Sequence, residues 1–229
     1  MGVAASTARE QKRDGGSDPA REQGMLPQWA FDAIRPPFKL FSRLVWHMNF
    51  KNTENIPPPV GGLIIAVNHQ TYIDPFWVSI PIKRPLRYLA WSEAFGWPAV
   101  GRLMEWFGAW PLQLEKSDPA AIRRSLHWLR RGGAVMIFPE GRRALSDGEM
   151  CRFKTGTARI ALEANVPILP VTIRGANRAW PRGWLLPRPA PIEIIYHPVR
   201  RPTPQPGEDI RRCARRETDL LAEVIQSAL

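Results

Sequence analysis

An α/β sandwich, a single domain with a largely parallel mixed sheet flanked by helices and preceded by an amphipathic helix, is the fold class this chain predicts. Three observations predict it. Short apolar runs such as LIIAV (63–67) and AVMIF (134–138) have the length and composition of buried strands. Helical patterns separate them, and strands that alternate with helices build parallel sheets. The 229 residues, 44% of them hydrophobic, suffice for one domain around one core.

The elements follow in order. Residues 1–24 are polar and poor in apolar groups, and their four basic residues balance four acidic ones (Arg9, Lys12, Arg13 and Arg21 against Glu10, Asp14, Asp18 and Glu22), so a disordered tail is expected. Residues 25–56 are expected to form a membrane-associating helical segment. Within it, over 37–50, Phe38, Phe41, Leu44, Val45 and Met48 share one helical face while Lys39 and Arg43 share another. That pattern fits a helix packed on its own core and a helix lying in a membrane interface equally well.

The remaining residues, 57–229, form the predicted domain. LIIAV is its first strand, and a helix is predicted after Asp74, with Asp74 and Pro75 as N-cap and first helical residue. LRYLA (86–90) is a strand, 98–107 is helical, and AWPLQL (109–114) is extended with a proline that belongs on a sheet edge. Asp118 and Pro119 open a helix that Gly132 and Gly133 end. AVMIF runs into a polar loop, a helix over 157–164 stops at Asn165, and ILPVTI (168–173) and IEIIYHPV (192–199) add two strands. The last segment, 209–229, is an amphipathic helix with Ile210, Cys213, Leu220, Leu221, Val224 and Ile225 inward.

Composition narrows the partners. Thirty-two Lys and Arg against twenty-one Asp and Glu leave a formal charge of +11, which favours nucleic acid, an acidic membrane surface or phosphorylated ligands. The arginine-rich stretches IRRSLHWLRR and DIRRCARR lie on amphipathic helices and match no groove-reading motif, so no nucleic-acid partner is expected. Cys151 and Cys213 have neither disulfide-framework nor metal-type spacing, which suits a reducing compartment. No run reaches the ~20 apolar residues of a membrane span. Ten tryptophans, several beside arginines and prolines as in RAWPRGWLLPRP (178–189), favour a surface that is apolar on one side and wet on the other.

Two turns carry candidate chemistry. In VNHQTYIDP (67–75), His69 and Asp74 follow a buried strand, at the strand end where ligands gather in α/β sheets. If the turn folds back, Asp74 orients the imidazole and leaves its other nitrogen as a general base. A strand-end histidine and a helix-capping aspartate would give the same spacing. No GxSxG elbow is present, so the base would act on a substrate hydroxyl. In FPEGRR (138–143), Glu140, Gly141 and Arg143 offer a carboxylate, a permissive backbone and a guanidinium suited to an anionic headgroup, or a solvated turn. P-loop and GxGxxG patterns are missing, which argues against an NTPase or a dinucleotide enzyme.

NHQTYID followed about seventy residues later by FPEGRR resembles the glycerolipid acyltransferases, with their NHxxxxD and FPEG(T)R blocks; GAWPLQL, FKTG and VPILPV fall in the family's order. The resemblance implies an α/β fold with a tunnel for an acyl chain. It implies His69 as the base and Asp74 as its orienting partner, with Glu140, Gly141 and Arg143 binding the acceptor's phosphate. Asn68, Phe138, Pro139, Arg142, Lys116, Lys154 and Gly156 would support that site. Backbone amides near Gly141 or at the start of the helix after Asp74 would hold the oxyanion.

The implied reaction moves a fatty acyl group from acyl-CoA or acyl carrier protein, as co-substrate, to a lysophospholipid hydroxyl. The leading acceptor is 1-acylglycerol-3-phosphate, giving phosphatidic acid; another lysolipid or a glycolipid hydroxyl is the alternative. No other cofactor and no metal are expected, and the enzyme would sit at the cytoplasmic face of a membrane, peripheral or monotopic. Departures bear on the acceptor: the family's arginine six positions after Gly108 is Leu114, with Lys116 two residues beyond, and its threonine and serine after FPEG are Arg142 and Ala144.

Overall fold

Aliphatic runs become strands where they are buried on both faces, and the computed structural model, which describes residues 24–97, 100–113, 118–144 and 148–229, shows this along the chain. The strands are β1 (Asn49–Lys51), β2 (Leu63–Val67), β3 (Leu86–Trp91), β4 (Ala109–Leu112), β5 (Ala134–Ile137), β6 (Ile168–Arg174) and β7 (Glu193–Tyr196). They form one sheet in the order β1-β7-β6-β2-β5-β3-β4. All pairings are parallel except β6 with β7. Every residue of β2 and β5 is buried, as the centre of a parallel sheet requires. β4, which carries Pro111, is an edge strand as expected, since proline has no amide to donate to a further neighbour.

Helices cover both faces. One face carries α1 (Gln28–Trp46), α2 (Asp74–Ser79) and a core that includes Trp46, Trp77 and Tyr196. The other carries α4 (Pro119–Arg130), α5 (Gly156–Ala164) and α7 (Ile210–Gln226) over a second core that includes Trp128, Ile160 and Leu221. α3 (Val100–Trp106) precedes β4, and the short α6 (Ala176–Ala179) follows β6. Asp118 and Asp209 cap α4 and α7 through their carboxylates, accepting from Ala121 N at 2.9 Å and Arg212 N at 2.8 Å. Asn165 ends α5 in the left-handed region (φ 53°), as predicted.

Three elements differ from expectation. α1 runs from Gln28 through Pro36 and Pro37 and stops at Trp46, with His47 at φ 43°, so the next residues are free to extend as β1 beside β7. Prolines inside a helix remove amide donors, and tertiary packing offsets that loss: Phe31 meets Phe107 edge to face, and Phe38 and Val45 rest on the core. The predicted apolar stripe divides, because Met48 lies buried beyond the helix end while Phe41 (53% exposed) and Leu44 (70%) face out beside Leu40 and Trp29. On α7, Ile210 in the first turn is exposed, and Glu217 and Thr218 join Cys213, Leu221 and Ile225 on the buried side. The expected tail, but for Gly24, lies outside the described residues.

Candidate active site

β2 delivers His69 to the end of the sheet, and the following turn folds back on itself because one carboxylate collects its donors. Asp74 is fully buried; Oδ2 accepts from the amides of Gln70 (2.6 Å) and Thr71 (2.8 Å), and Oδ1 from the Thr71 hydroxyl (2.6 Å). The same Oδ2 lies 3.0 Å from His69 Nδ1. Asp74 therefore does not cap the helix it opens, correcting the N-cap expectation: α2 begins at Asp74 itself, without a side-chain cap, and its carboxylate faces the histidine.

Two contacts fix the imidazole, and two more fix its backbone. With Asp74 accepting at Nδ1, the proton resides there and Nε2 presents a lone pair. Phe138 stacks on the ring at 4.1 Å between centroids. The His69 backbone amide donates to Glu140 Oε1 (2.7 Å), and its carbonyl accepts from Ala144 N (2.6 Å). The side chain keeps 19% exposure, and no hydrogen bond occupies Nε2 among the described residues. Asn68 anchors the turn from behind: its amide group donates to Ile173 O (2.9 Å) and accepts from Ile173 N (2.7 Å), locking β2 to β6.

The second turn, beyond β5, separates bracing from exposure. Glu140 is buried, and its oxygens accept from the backbone amides of His69 and Cys151 (2.6 Å for the latter), so it ties the two turns to the 148–154 loop. Burial pushes its pKa above the usual carboxylate value, against the opposing pull of those amides. Gly141 turns at φ 68°, its amide closing the turn on Phe138 O, while the Lys154 side chain crosses so near that a β-carbon would meet Nζ at 2.8 Å. That amide is committed, which removes it from the candidates for an oxyanion contact. Pro139 O accepts from Lys154 N at 2.9 Å. Arg142 and Lys154 are exposed, and Gly156 opens α5.

Arg143 reaches across to the first turn. Its Nη2 donates to the Tyr72 hydroxyl (2.9 Å), and its guanidinium lies over the Tyr72 ring, 3.7 Å from the centroid. Tyr72 in turn meets Trp180 edge to face at 5.7 Å. Thr71, Tyr72 and Cys151 were not singled out from sequence; the first two lie between His69 and Asp74, where only a folded-back turn reveals their use. Lys116 and Leu114 lie outside the described residues.

A buried carboxylate behind a histidine with a free nitrogen, beside a cationic turn at the carboxyl end of parallel strands, is the arrangement of a general-base site for an anionic substrate. An acyltransferase family model matches residues 47–174, more than half of the chain and including both turns. The chain belongs to the acyltransferase family. It is similar to the chloroplastic 1-acyl-sn-glycerol-3-phosphate acyltransferase of Arabidopsis thaliana, 27% identical over 159 residues (68% of this chain, 41% of that one). The 1-acyl-sn-glycerol-3-phosphate acyltransferases of Limnanthes alba (32% over 140 residues; 59% and 49%) and Pseudomonas aeruginosa (29% over 158; 65% and 57%) are similar as well. The chain spans about half the length of the curated relatives it matches. The crystal structure of the 1-acyl-sn-glycerophosphate acyltransferase PlsC from Thermotoga maritima matches with a TM-score of 0.67 at 22% identity, covering 88% of this chain and 78% of that one, which establishes the fold.

Proposed function

We propose that the protein transfers an acyl group from an acyl thioester, acyl-CoA or acyl carrier protein, to the free hydroxyl of 1-acylglycerol-3-phosphate, giving phosphatidic acid and a free thiol. The observation that carries this reading is the 3.0 Å contact of His69 Nδ1 with buried Asp74, which leaves Nε2 open next to the Arg143 turn. The names of the similar proteins point to the same acceptor.

The chemistry follows from the geometry. Nε2 takes the proton of the acceptor hydroxyl as its oxygen attacks the thioester carbonyl. Asp74 stabilises the imidazolium that forms. When the tetrahedral intermediate collapses, the carbon–sulfur bond breaks and the departing sulfur receives the proton from Nε2. Arg143, with Arg142 and Lys154 exposed beside it, supplies positive charge for the acceptor's phosphate. Glu140 holds the two turns together through backbone amides, as Asn68 holds β2 to β6.

The acceptor is a membrane lipid, and two surfaces suit an interface. α1 exposes Trp29, Leu40, Phe41 and Leu44, and the loop after α6 exposes Trp184, Leu185 and Leu186 among arginines. No helix among the described residues is long and apolar enough to cross a membrane. We place the protein on the cytoplasmic face, resting on these surfaces.

The test is thiol release from palmitoyl-CoA, and in a second arm from palmitoyl carrier protein, with lysophosphatidate, other lysophospholipids and a glycolipid as acceptors. Release that depends on lysophosphatidate and falls roughly a hundredfold or more in a folded His69→Ala variant is expected. Release indifferent to every acceptor would mean a hydrolase, and none with either donor would mean a lipid-binding scaffold.

A further inference from the structure

A groove of about 500 Å³ lies away from both site turns, between the flank of α1, the short 3-10 turn Thr53–Asn55 and the connection from α2 to β3. None of its lining residues belongs to the 67–74 or 138–144 turn. It opens toward the start of β3, while His69 stands beyond the end of the parallel β2. The two places are at opposite ends of the sheet.

Its charge is one-sided. Lys39, Arg43, Lys83 and Arg84 line it, and no carboxylate does. Several cations elsewhere have an acid beside them: Arg35 has Asp32, Lys51 and Arg174 have Glu193, and Arg216 has Glu208 and Glu217. The side chains of Lys39, Arg43 and Lys83 make no hydrogen bond or ion pair among the described residues. Arg84 is buried; its Nη2 donates to the carbonyls of Gly61 and Gly132, and its Nη1 has no partner among the described residues. Positive charges gathered without an acid repel one another unless an anion joins them.

But for Thr53, the rest of the lining is apolar, with Phe50, Ile56 and Ile80 beside prolines. On α1, Leu40 and Leu44, sequence neighbours of Lys39 and Arg43, are 61% and 70% exposed. A ligand that suits both features carries a phosphate next to an apolar body and arrives from the surface that α1 meets. We propose that the groove binds the phosphate headgroup of an anionic glycerophospholipid held in a membrane, separately from the acceptor at Arg143. The inference rests on the membrane contact proposed for α1 and is independent of the catalytic pair.

The experiment is flotation of the full chain with phosphatidylcholine vesicles, with and without phosphatidate. The triple variant Lys39→Ala/Arg43→Ala/Lys83→Ala is compared with Arg211→Ala/Arg212→Ala/Arg215→Ala, which removes equal charge from α7 on the other face of the sheet. At roughly fivefold for each of the three cations held near the headgroups, the groove variant should lose about a hundredfold in affinity for phosphatidate vesicles. The α7 variant should stay within about threefold, and both should match the parent on phosphatidylcholine alone. Equal loss in the two triples, or none in the groove variant, overturns the proposal. Displacement of the parent by millimolar inorganic phosphate would assign the groove to a soluble phosphate compound and overturn it as well. No turnover is read, so the acyl-transfer reading can fail without changing this result.

Discussion

The turn after β2 and the turn after β5 lie side by side on adjacent parallel strands, yet opposite means hold them. In the first, Asp74 alone gathers two amides, a hydroxyl and the imidazole, and the carboxylate sees no solvent. In the second, the cations are open: Arg142 and Lys154 are exposed, and Arg143 is steadied by one hydroxyl and one ring face. Taking a proton requires a nitrogen on a fixed axis, which a sealed network supplies. Capturing an anion requires reach, and loosely held cations retain it. Glu140 joins the two turns by accepting from the His69 and Cys151 backbone amides.

The sharpest way to break this contrast is Asp74→Asn. The amide can keep the same geometry, its oxygen accepting from Gln70 N and Thr71 N while its NH₂ donates to the Thr71 hydroxyl, so the change removes mainly the charge behind His69. Turnover should fall roughly a hundredfold or more with the fold retained. A variant that keeps most of its rate would make the carboxylate a scaffold only.

Arg143→Ala addresses the open turn. Hydrogen bonds to charged groups contribute about 1.5–3 kcal/mol, so the acceptor KM should rise about tenfold to a hundredfold while the donor KM stays within about twofold. Equal changes for both substrates would move the headgroup elsewhere. Tyr72→Phe keeps the ring under the guanidinium and removes the hydroxyl, so a rise of about two- to tenfold in acceptor KM at unchanged kcat is expected. A fall in kcat instead would assign Tyr72 to the sealed turn.

The smallest effect concerns the joint. Burial raises Glu140 above its ordinary value of 4.5, so the folded protein holds that proton more tightly than the unfolded chain does. Its contribution to stability is whole below about pH 4.5 and is lost as pH rises through the raised value. As pH rises from about 4.5, the parent should therefore lose stability relative to Glu140→Gln in denaturant melts. Parallel curves would mean that the two amides hold the carboxylate ionised throughout.

Features written in short-range chemistry were legible in the sequence. The runs at β2 and β5, the aspartate caps of α4 and α7, the asparagine stop of α5 and the edge proline of β4 each depend on a few neighbouring residues. The histidine and aspartate could be paired because the turn between them is short. Features that arise from distant partners were not legible. β1 is three residues without an apolar run and exists because β7 lies beside it, and α1 crosses its two prolines because Phe31 finds Phe107. The contact of Tyr72 with Arg143 spans 71 positions, and nothing local to either residue announces it.

Those two prolines have a further consequence. Because Pro36 and Pro37 carry no amide hydrogen, the carbonyls of Asp32 and Ala33 lose the donors that a regular helix would give them four residues on. Both residues lie on the exposed part of α1. Hydrocarbon offers such oxygens nothing, whereas water and lipid headgroups do. On the proposed membrane surface, leucines and aromatics would pull this helix toward oil while its own backbone demands moisture midway along, so the pair of prolines would act as a depth gauge. In the membrane contact proposed above, it would hold the helix at the level of phosphate and glycerol, the layer of a bilayer in which a lysolipid's free hydroxyl also lies.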